Sequence, residues 1–415
     1  MVRELLHSSF CGKNDKLTTW YLQQLSLLKF PIYCSFDIRD AGFKISNVDA
    51  NVFPAGFNNI CPTDKETSIS LMDQYLKHTY GSKNERILLV TEEHTQNLFY
   101  WENVATIKEL IEESGRQVLL AFPRELSESL KVKSATGKEL LIHSGYFNSV
   151  DVQKFNPDLV VSNNDFSEAH EDWAQTVNVP VNPPRELGWY QRKKSRYFKW
   201  FNKVSEHFCE QAGIDPYLMT VKTEIFEDFQ IVDEGSVKHL ADKVDEMIES
   251  ISQEYSRRGI QSKPFVFVKN NSGTYGLAVI RVSSGKEILE WNYKSRKKMK
   301  AAKGGRSVEE VIIQEGIPSV VTSEGLTAEP VIYMIGCELA GGFLRTHSEK
   351  DATESLNSPG AVYRKLCVSD LQTALQGALL ENVYGWSARL GLLAIAFEAK
   401  EMGIEFKGTL TKAQF

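Results

Sequence analysis

Residues 264–282, PFVFVKNNSGTYGLAVIRV, constrain the fold more than any other stretch of this chain. Val266 and Val268 before a small polar turn, and Val279, Ile280 and Val282 after it, favour extended backbone. Gly273 and Gly276 allow the turn positive φ and let its N–H groups approach an anion. The pattern predicts a β-hairpin able to fold over phosphate, with Lys269 as a cation at its mouth. It is neither GxxxxGK[ST] nor a dinucleotide fingerprint, because the glycines open a strand and not a helix. A plain structural hairpin with a Gly-rich turn accounts for the same residues.

The segments C-terminal to the hairpin, taken in order, narrow the choice. Residues 311–317, VIIQEGI, read as a short apolar strand ending in Gln314 and Glu315. Residues 328–335, AEPVIYMI, and 339–347, LAGGFLRTH, read as two more strands, the second carrying Arg345, and 354–361, ESLNSPGA, puts Asn357 in a turn. This succession resembles ATP-grasp proteins, in which a hairpin lid covers the triphosphate and a strand leading to a carboxylate-bearing hinge receives adenine and ribose. The resemblance implies that Lys269, Ser272, Gly273, Thr274, Tyr275, Gly276, Gln314 and Glu315 bind ATP. Arg345 and Asn357 resemble phosphate and metal contacts of the glutathione-synthetase branch.

At 415 residues the chain exceeds what one hydrophobic core usually serves. The expected division is an N-terminal α/β substrate-binding domain over 1–185, a helical segment and lid over 186–312, and an ATP-grasp core over 313–415. With 42% hydrophobic and 25% charged residues and a net charge of −6, the composition is that of a cytosolic globular protein, without an electrostatic footprint for nucleic acid. The first residues lack the apolar core of a secretory signal and GLLAIAF is too short to cross a bilayer, so a cytoplasmic location with no membrane partner is expected. Six scattered cysteines (Cys11, Cys34, Cys61, Cys209, Cys337 and Cys367) without a CxxC read as buried or incidental thiols, neither a zinc site nor a redox pair. The eight histidines form no HExxH, so any metal must take oxygen ligands.

Strand-like runs at 86–93 and 117–123 flank a helical stretch at 101–114, and 159–165 repeats the strand-then-polar-turn form. This alternation predicts an α/β domain with a partly parallel sheet, whose ligands sit beyond the carboxyl ends of the strands. TEEHTQN, 91–97, and SNND, 162–165, are therefore candidate site walls. Further helices are expected at 17–28, 189–213, 237–258 and 371–402. The bases Arg192, Lys193, Lys194 and Arg196 read as a solvated helix face, and the basic run 294–306 as a surface connection or an aid in holding phosphate.

Residues 35–60 combine several Phe and Val with Asp37, Arg39, Lys44, Asp49, Asn51, Asn58 and Asn59. Paired charges and amides of this kind can grip the ammonium and carboxylate of an amino acid, although a loop held by its own Asx turns is the alternative.

Together with ILLVTEEHTQNLFYWENV, VVSNND, GWYQRKKSRYF, FVKNNSGTYGLAVIRV, VEEVIIQEGI, AEPVIYMI, GGFLRTH and LNSPGA, this segment resembles the proteobacterial glutamate–cysteine ligase family of ATP-grasp type over nearly the whole chain. The resemblance implies that ATP phosphorylates the γ-carboxylate of L-glutamate and that the amine of L-cysteine attacks the acyl phosphate, giving γ-glutamylcysteine. It also implies Lys269 and Arg345 as catalytic cations, a lid that excludes water, and Mg²⁺ as cofactor. Glu329 and Asn357 are the expected metal ligands, with Glu338 and Glu354 as substitutes, while a salt-bridged strand residue is the other reading of Glu329. The same residues admit another carboxylate–amine ligase of different specificity, or a nucleotide- and amino-acid-binding regulator without turnover.

Overall fold

Three large sheets organise the described residues, and they do not follow the order of the chain. The computed structural model describes residues 2–93, 96–273, 278–300, 308–375 and 378–410. Strands β1 Tyr33–Asp40 and β2 Ile45–Asn51 come first, then β3 Arg86–Thr91, β4 Gln117–Phe122, β5 Leu130–Lys133, β6 Glu139–Ser144, β7 Leu159–Asn163 and β8 Val181–Asn182. Strands β9 Thr223–Phe226, β10 Val266–Asn270, β11 Val279–Val282 and β12 Val311–Glu315 follow. The last third brings β13 Thr322–Ser323, β14 Leu326–Ile335, β15 Glu338–Thr346 and β16 Val362–Leu366.

Strands β3 to β8 form one sheet in the order β5-β6-β4-β3-β7-β8, parallel except where β5 joins. This is the expected α/β layer, and its central strands are Val- and Leu-rich because both faces are covered. A four-stranded antiparallel sheet runs β11-β10-β12-β9, with β10 and β11 paired as the hairpin read from the sequence, Lys269 opposite Val279. The third sheet runs β16-β15-β14-β1-β2 and thus joins residues from both ends of the chain. It crosses the sequence divisions expected at 185 and 312.

The helix Val383–Glu401 is buried on nearly every side and packs on the face of that third sheet presented by Phe36, Ile38, Ile332 and Met334. A Cβ on Gly391 would come within 2.5 Å of the Phe36 ring, so glycine is what lets helix and strand approach. The helix does not begin at 371 as expected. Gln372–Leu375 and Ala378–Glu381 pair as a hairpin, and Asn382 caps the helix by accepting from the N–H of Tyr384 and Gly385. The helix expected at 189–213 starts only at Lys194, after a turn of 3-10 helix at Arg185–Leu187. Helices Asn14–Leu25, Leu98–Glu113 and Glu234–Arg258 lie close to where the patterns put them, the last capped by Asp233 and ended by Gly259 at φ +66°.

Two further sequence expectations need correction. Cys61 and Cys367 are not incidental thiols but a disulfide across 306 residues, while Cys34, Cys209 and Cys337 are buried free thiols. Arg192 and Lys194 do not belong to a solvated face, because both are buried. Among the described residues, no helix is long and apolar enough to cross a membrane.

Candidate active site

Period-two alternation builds one wall of the site. In SFDIRD, Phe36 and Ile38 turn toward the helix Val383–Glu401, which leaves Asp37 and Arg39 on the opposite face of β1. Strand β14 brings Glu329 to the same face, and β15 places Arg345 directly across from it. Arg39 Nε donates to Glu329 Oε2 at 2.6 Å, and Arg345 Nη1 donates to Glu329 Oε1 at 2.5 Å and to Asp37 Oδ2 at 2.6 Å. All four side chains are buried.

The opposite wall comes from the four-stranded sheet. A pocket between the two sheets is lined by Asp37, Arg39, Asp49 and Glu329 from one side, and by Phe267, Lys269, Gly273 and Val279 from the hairpin. Asn357 and Ser355, from the segment between β15 and β16, close it, with Ile317 beyond the end of β12. Lys269 Nζ donates to Gln314 Oε1 at 2.6 Å and to the carbonyl of Val48 at 2.9 Å. Both acceptors are neutral, and burial, only partly offset by Asp49, pushes the lysine down to about 8.

Lys194 also lines this pocket, although the sequence pattern assigned it to solvent. Its ammonium pairs with Asp49 Oδ1 at 2.8 Å and lies 4.5 Å from the Trp189 ring centre. The first turn of its helix is stitched to the hairpin: Lys194 N–H donates to Asn271 O and Ser195 N–H to Asn271 Oδ1. The tryptophan just upstream was the one sequence cue that a basic side chain here is covered.

The acids respond differently to their surroundings, with Asp37 and Glu329 buried and Asp49 partly exposed. Burial raises Asp37, whose Arg345 partner does not fully compensate, and Asp37 Oδ1 has no hydrogen-bond partner among the described residues. For Asp49 burial is outweighed by Lys194 and Lys269, and for Glu329 by Arg39 and Arg345, so both carboxyls are held below their ordinary range. Arg39 further donates to the carbonyls of Ala352 and Glu354, fixing the segment that delivers Ser355 and Asn357.

Other expected site residues lie outside the pocket lining. Lys44 and Glu315 form a buried ion pair, Nζ within 2.8 Å of both carboxylate oxygens, with the ammonium 3.9 Å from the Tyr217 ring centre. Gln314 acts through Lys269, and Arg345 through Asp37 and Glu329. Ser272 donates to the carbonyl of Arg192. Asn51 ends β2 opposite Ser35, and Asn58 and Asn59 bond to each other in the 3-10 turn Phe57–Asn59. Thr274, Tyr275 and Gly276 lie outside the described residues, as do residues 301–306 of the basic run. The polar strand ends at 91–92 and 162–165 are not walls of this pocket: Asn163 donates to the Pro54 carbonyl, Asn164 to that of Thr91, and the Asp165 N–H to Glu92 Oε1.

A cleft that sets buried ammonium groups beside oxygen donors under a glycine-rich hairpin belongs to the class of proteins that handle anionic ligands away from bulk water. The chain belongs to the glutamate-cysteine ligase family, whose model GshA matches residues 8–399. It is accordingly an ATP-using carboxylate–amine ligase that forms γ-glutamylcysteine. A crystal structure of a provisionally named gamma-glutamylcysteine synthetase from Methylobacillus flagellatus KT is 30% identical and superposes with a TM-score of 0.86, covering 97% of this chain and 96% of that one. D-alanyl-alanine synthetase A from Vibrio cholerae (14% identity, 68% and 74% coverage) and carboxyaminoimidazole ribonucleotide synthase from Aspergillus clavatus (13%, 66% and 59%) reach a TM-score of only 0.29, too low to bear on the argument. No curated protein matches the sequence closely enough to count.

Proposed function

We propose that phosphoryl transfer from ATP to the γ-carboxylate of L-glutamate takes place in the pocket between the two antiparallel sheets, with the β10–β11 hairpin as an ATP-grasp lid. The observation that carries this reading is Lys269, a buried ammonium held by neutral oxygens in the same pocket as Asp37, Asp49 and Asn357. Bringing a phosphate up to a carboxylate sets two anions against each other, so preorganised cations supply most of the rate. Lys269 and Lys194 are those cations. Gly273 lets the backbone of the loop approach the phosphates, and lid closure protects the acyl phosphate from water until the L-cysteine amine attacks. The activated intermediate is the substrate itself, so the protein needs no nucleophile.

Mg²⁺ fits the donor set: Asn357 and the carboxylates of Asp37 and Asp49 are hard oxygen donors, and Asp37 Oδ1 is unpartnered among the described residues. The ion would neutralise phosphate charge. Glu329 is reassigned from metal ligand to anchor, because each of its oxygens is already bound by an arginine. Arg345 is likewise a positioning residue for Asp37 and Glu329. The test is incubation with ATP, Mg²⁺ and L-glutamate, with and without L-cysteine, reading ADP and peptide by mass spectrometry. γ-Glutamylcysteine appearing one-for-one with ADP is expected. ADP release with a different amine would redirect the substrate assignment, and turnover unchanged in Lys269→Met would remove the site assignment.

A further inference from the structure

The basic cluster at the start of the helix Lys194–Ala212 is only partly used by the site above. Lys194 lines the pocket of Lys269, while Lys193, Arg196 and Lys199 line a second, separate cavity of about 490 Å³. Strand β9 contributes Thr223 and Ile225, which pair with Gln314 and Ile312 and so lie on the same face of the four-stranded sheet as Phe267 and Lys269. Lys193 Nζ is paired with Glu310 at 2.7 Å and Lys199 Nζ with Glu401 at 2.8 Å. Arg196 is the exception. It is half-buried, its guanidinium has no hydrogen bond or ion pair among the described residues, and its Nη1 is closed off from water. The acids near enough to attract it are taken, Glu398 by Arg192 and Glu401 by Lys199 and Trp200.

We propose that this cavity is a second binding site, for a small organic anion with one carboxylate and a short apolar body, and that its occupant acts on the β10–β11 hairpin through Asn271. A guanidinium offers five donors and no acceptor, in a fork that fits a carboxylate. The lining holds three bases and two acids; the two ion pairs cancel, and one positive charge is left for the ligand. A phosphate dianion would bring a second negative charge beside Glu310 and Glu401 with nothing to meet it. Ile225, 46% exposed, supplies apolar surface, and the volume is that of a metabolite site. Asn271, the residue after β10, is part of the wall and is shared with the helix. Its carbonyl and Oδ1 accept from the N–H groups of Lys194 and Ser195, and its Nδ2 donates to Ser195 Oγ at 3.0 Å and Glu310 Oε2 at 3.2 Å. Glu310 Oε2 is also the atom that holds Lys193. An anion that draws Lys193 or Ser195 toward Arg196 therefore disturbs the root of the hairpin, next to Ser272 and Gly273. A second link runs across the sheet, where Thr223 Oγ1 accepts from Gln314 Nε2 and Gln314 Oε1 holds Lys269. Binding stands on the cavity alone; its effect on ATP rests on the hairpin being the lid assigned under Proposed function.

The test titrates the full-length protein with butyrate and, separately, with inorganic phosphate, the first pocket being filled with L-glutamate, Mg²⁺ and a non-hydrolysable ATP analogue. Saturable one-to-one binding of butyrate, tighter than that of phosphate, is expected. Arg196→Gln should weaken it about tenfold, and Glu401→Gln, which frees Lys199 at an exposed position, should tighten it about threefold. Basal turnover of both variants should stay near that of the wild type. Butyrate that fails to saturate, phosphate as the tighter ligand, or butyrate binding indifferent to both substitutions would each overturn the site. For the link to the hairpin, the Kd of the ATP analogue is measured with and without saturating butyrate. A change of about fivefold in the wild type that disappears in Arg196→Gln is expected, and an unchanged Kd would overturn the link. Amide exchange in residues 266–273 that ignores the analogue itself would sink the lid reading and with it the effect on ATP, while butyrate binding that depends on Arg196 would still uphold the site.

Discussion

Two buried lysines, both read from the sequence as binding residues, occupy opposite situations. Lys44 sits at the end of β12 with both oxygens of Glu315 against its ammonium and the Tyr217 ring beside it. Lys269 sits 45 residues from its Gln314 partner in sequence, in the pocket, and is held by an amide oxygen and a backbone carbonyl. The first charge is cancelled where it stands and serves to join the two sheets. The second is left uncancelled by its nearest acceptors and is available to an anion that arrives later. Burial depresses both lysines, but only for Lys269 does the depression describe a site waiting for its counter-charge.

Breaking each lysine should separate these roles. Lys44→Met leaves Glu315 buried and uncompensated, which should destabilise the fold by about 3–5 kcal/mol in denaturant melts, and Lys44→Met with Glu315→Leu should recover most of that loss. Lys269→Met should do the reverse, lowering kcat/KM on the order of 10²–10³-fold while raising the stability of the ligand-free protein by up to about 3 kcal/mol. The sign follows from its depressed pKa: folded protein binds this proton less tightly than unfolded chain, so the penalty is complete below pH 8 and fades as pH rises toward the ordinary lysine value. Melts of wild type and Lys269→Met should therefore converge above pH 8. Lys194→Ala should raise the KM for ATP about tenfold, on the order of 1.5 kcal/mol, with kcat less affected. Asn58→Ala and Asn59→Ala, outside the pocket lining, should change kinetics by no more than about twofold.

The strands that carry the site were legible because their signals are local. The β-branched runs at β10, β12 and β14, the ELAGGFLRT strand β15 and the alternation in β1 suffice to put Asp37, Arg39, Lys269 and Glu329 on strands. What escaped depends on partners far along the chain. Lys194 and Arg192 are covered because Asp49 and Glu398 meet them across 145 and 206 residues, and a cluster of bases looks the same in sequence whether or not such acids arrive. The Cys61–Cys367 pair, separated by 306 residues, left no spacing to read. Glu329 was visible as a carboxylate at the right place, but the two arginines that occupy it only become neighbours once three strands have paired.

The sheet that joins the ends of the chain also bears on how the protein is made. Arg39 meets Glu329 across 290 residues, and β1 has no partner on that side until β14 has been synthesised. At ribosomal rates of about 5–20 residues per second that is a wait on the order of 15–60 s, during which a strand edge stays open to other chains. The parallel sheet can close meanwhile, since all its strands lie within residues 86–182. A nascent or truncated chain would thus own a folded layer but not the pocket between the two antiparallel sheets, and would be a client for chaperones before it is an enzyme.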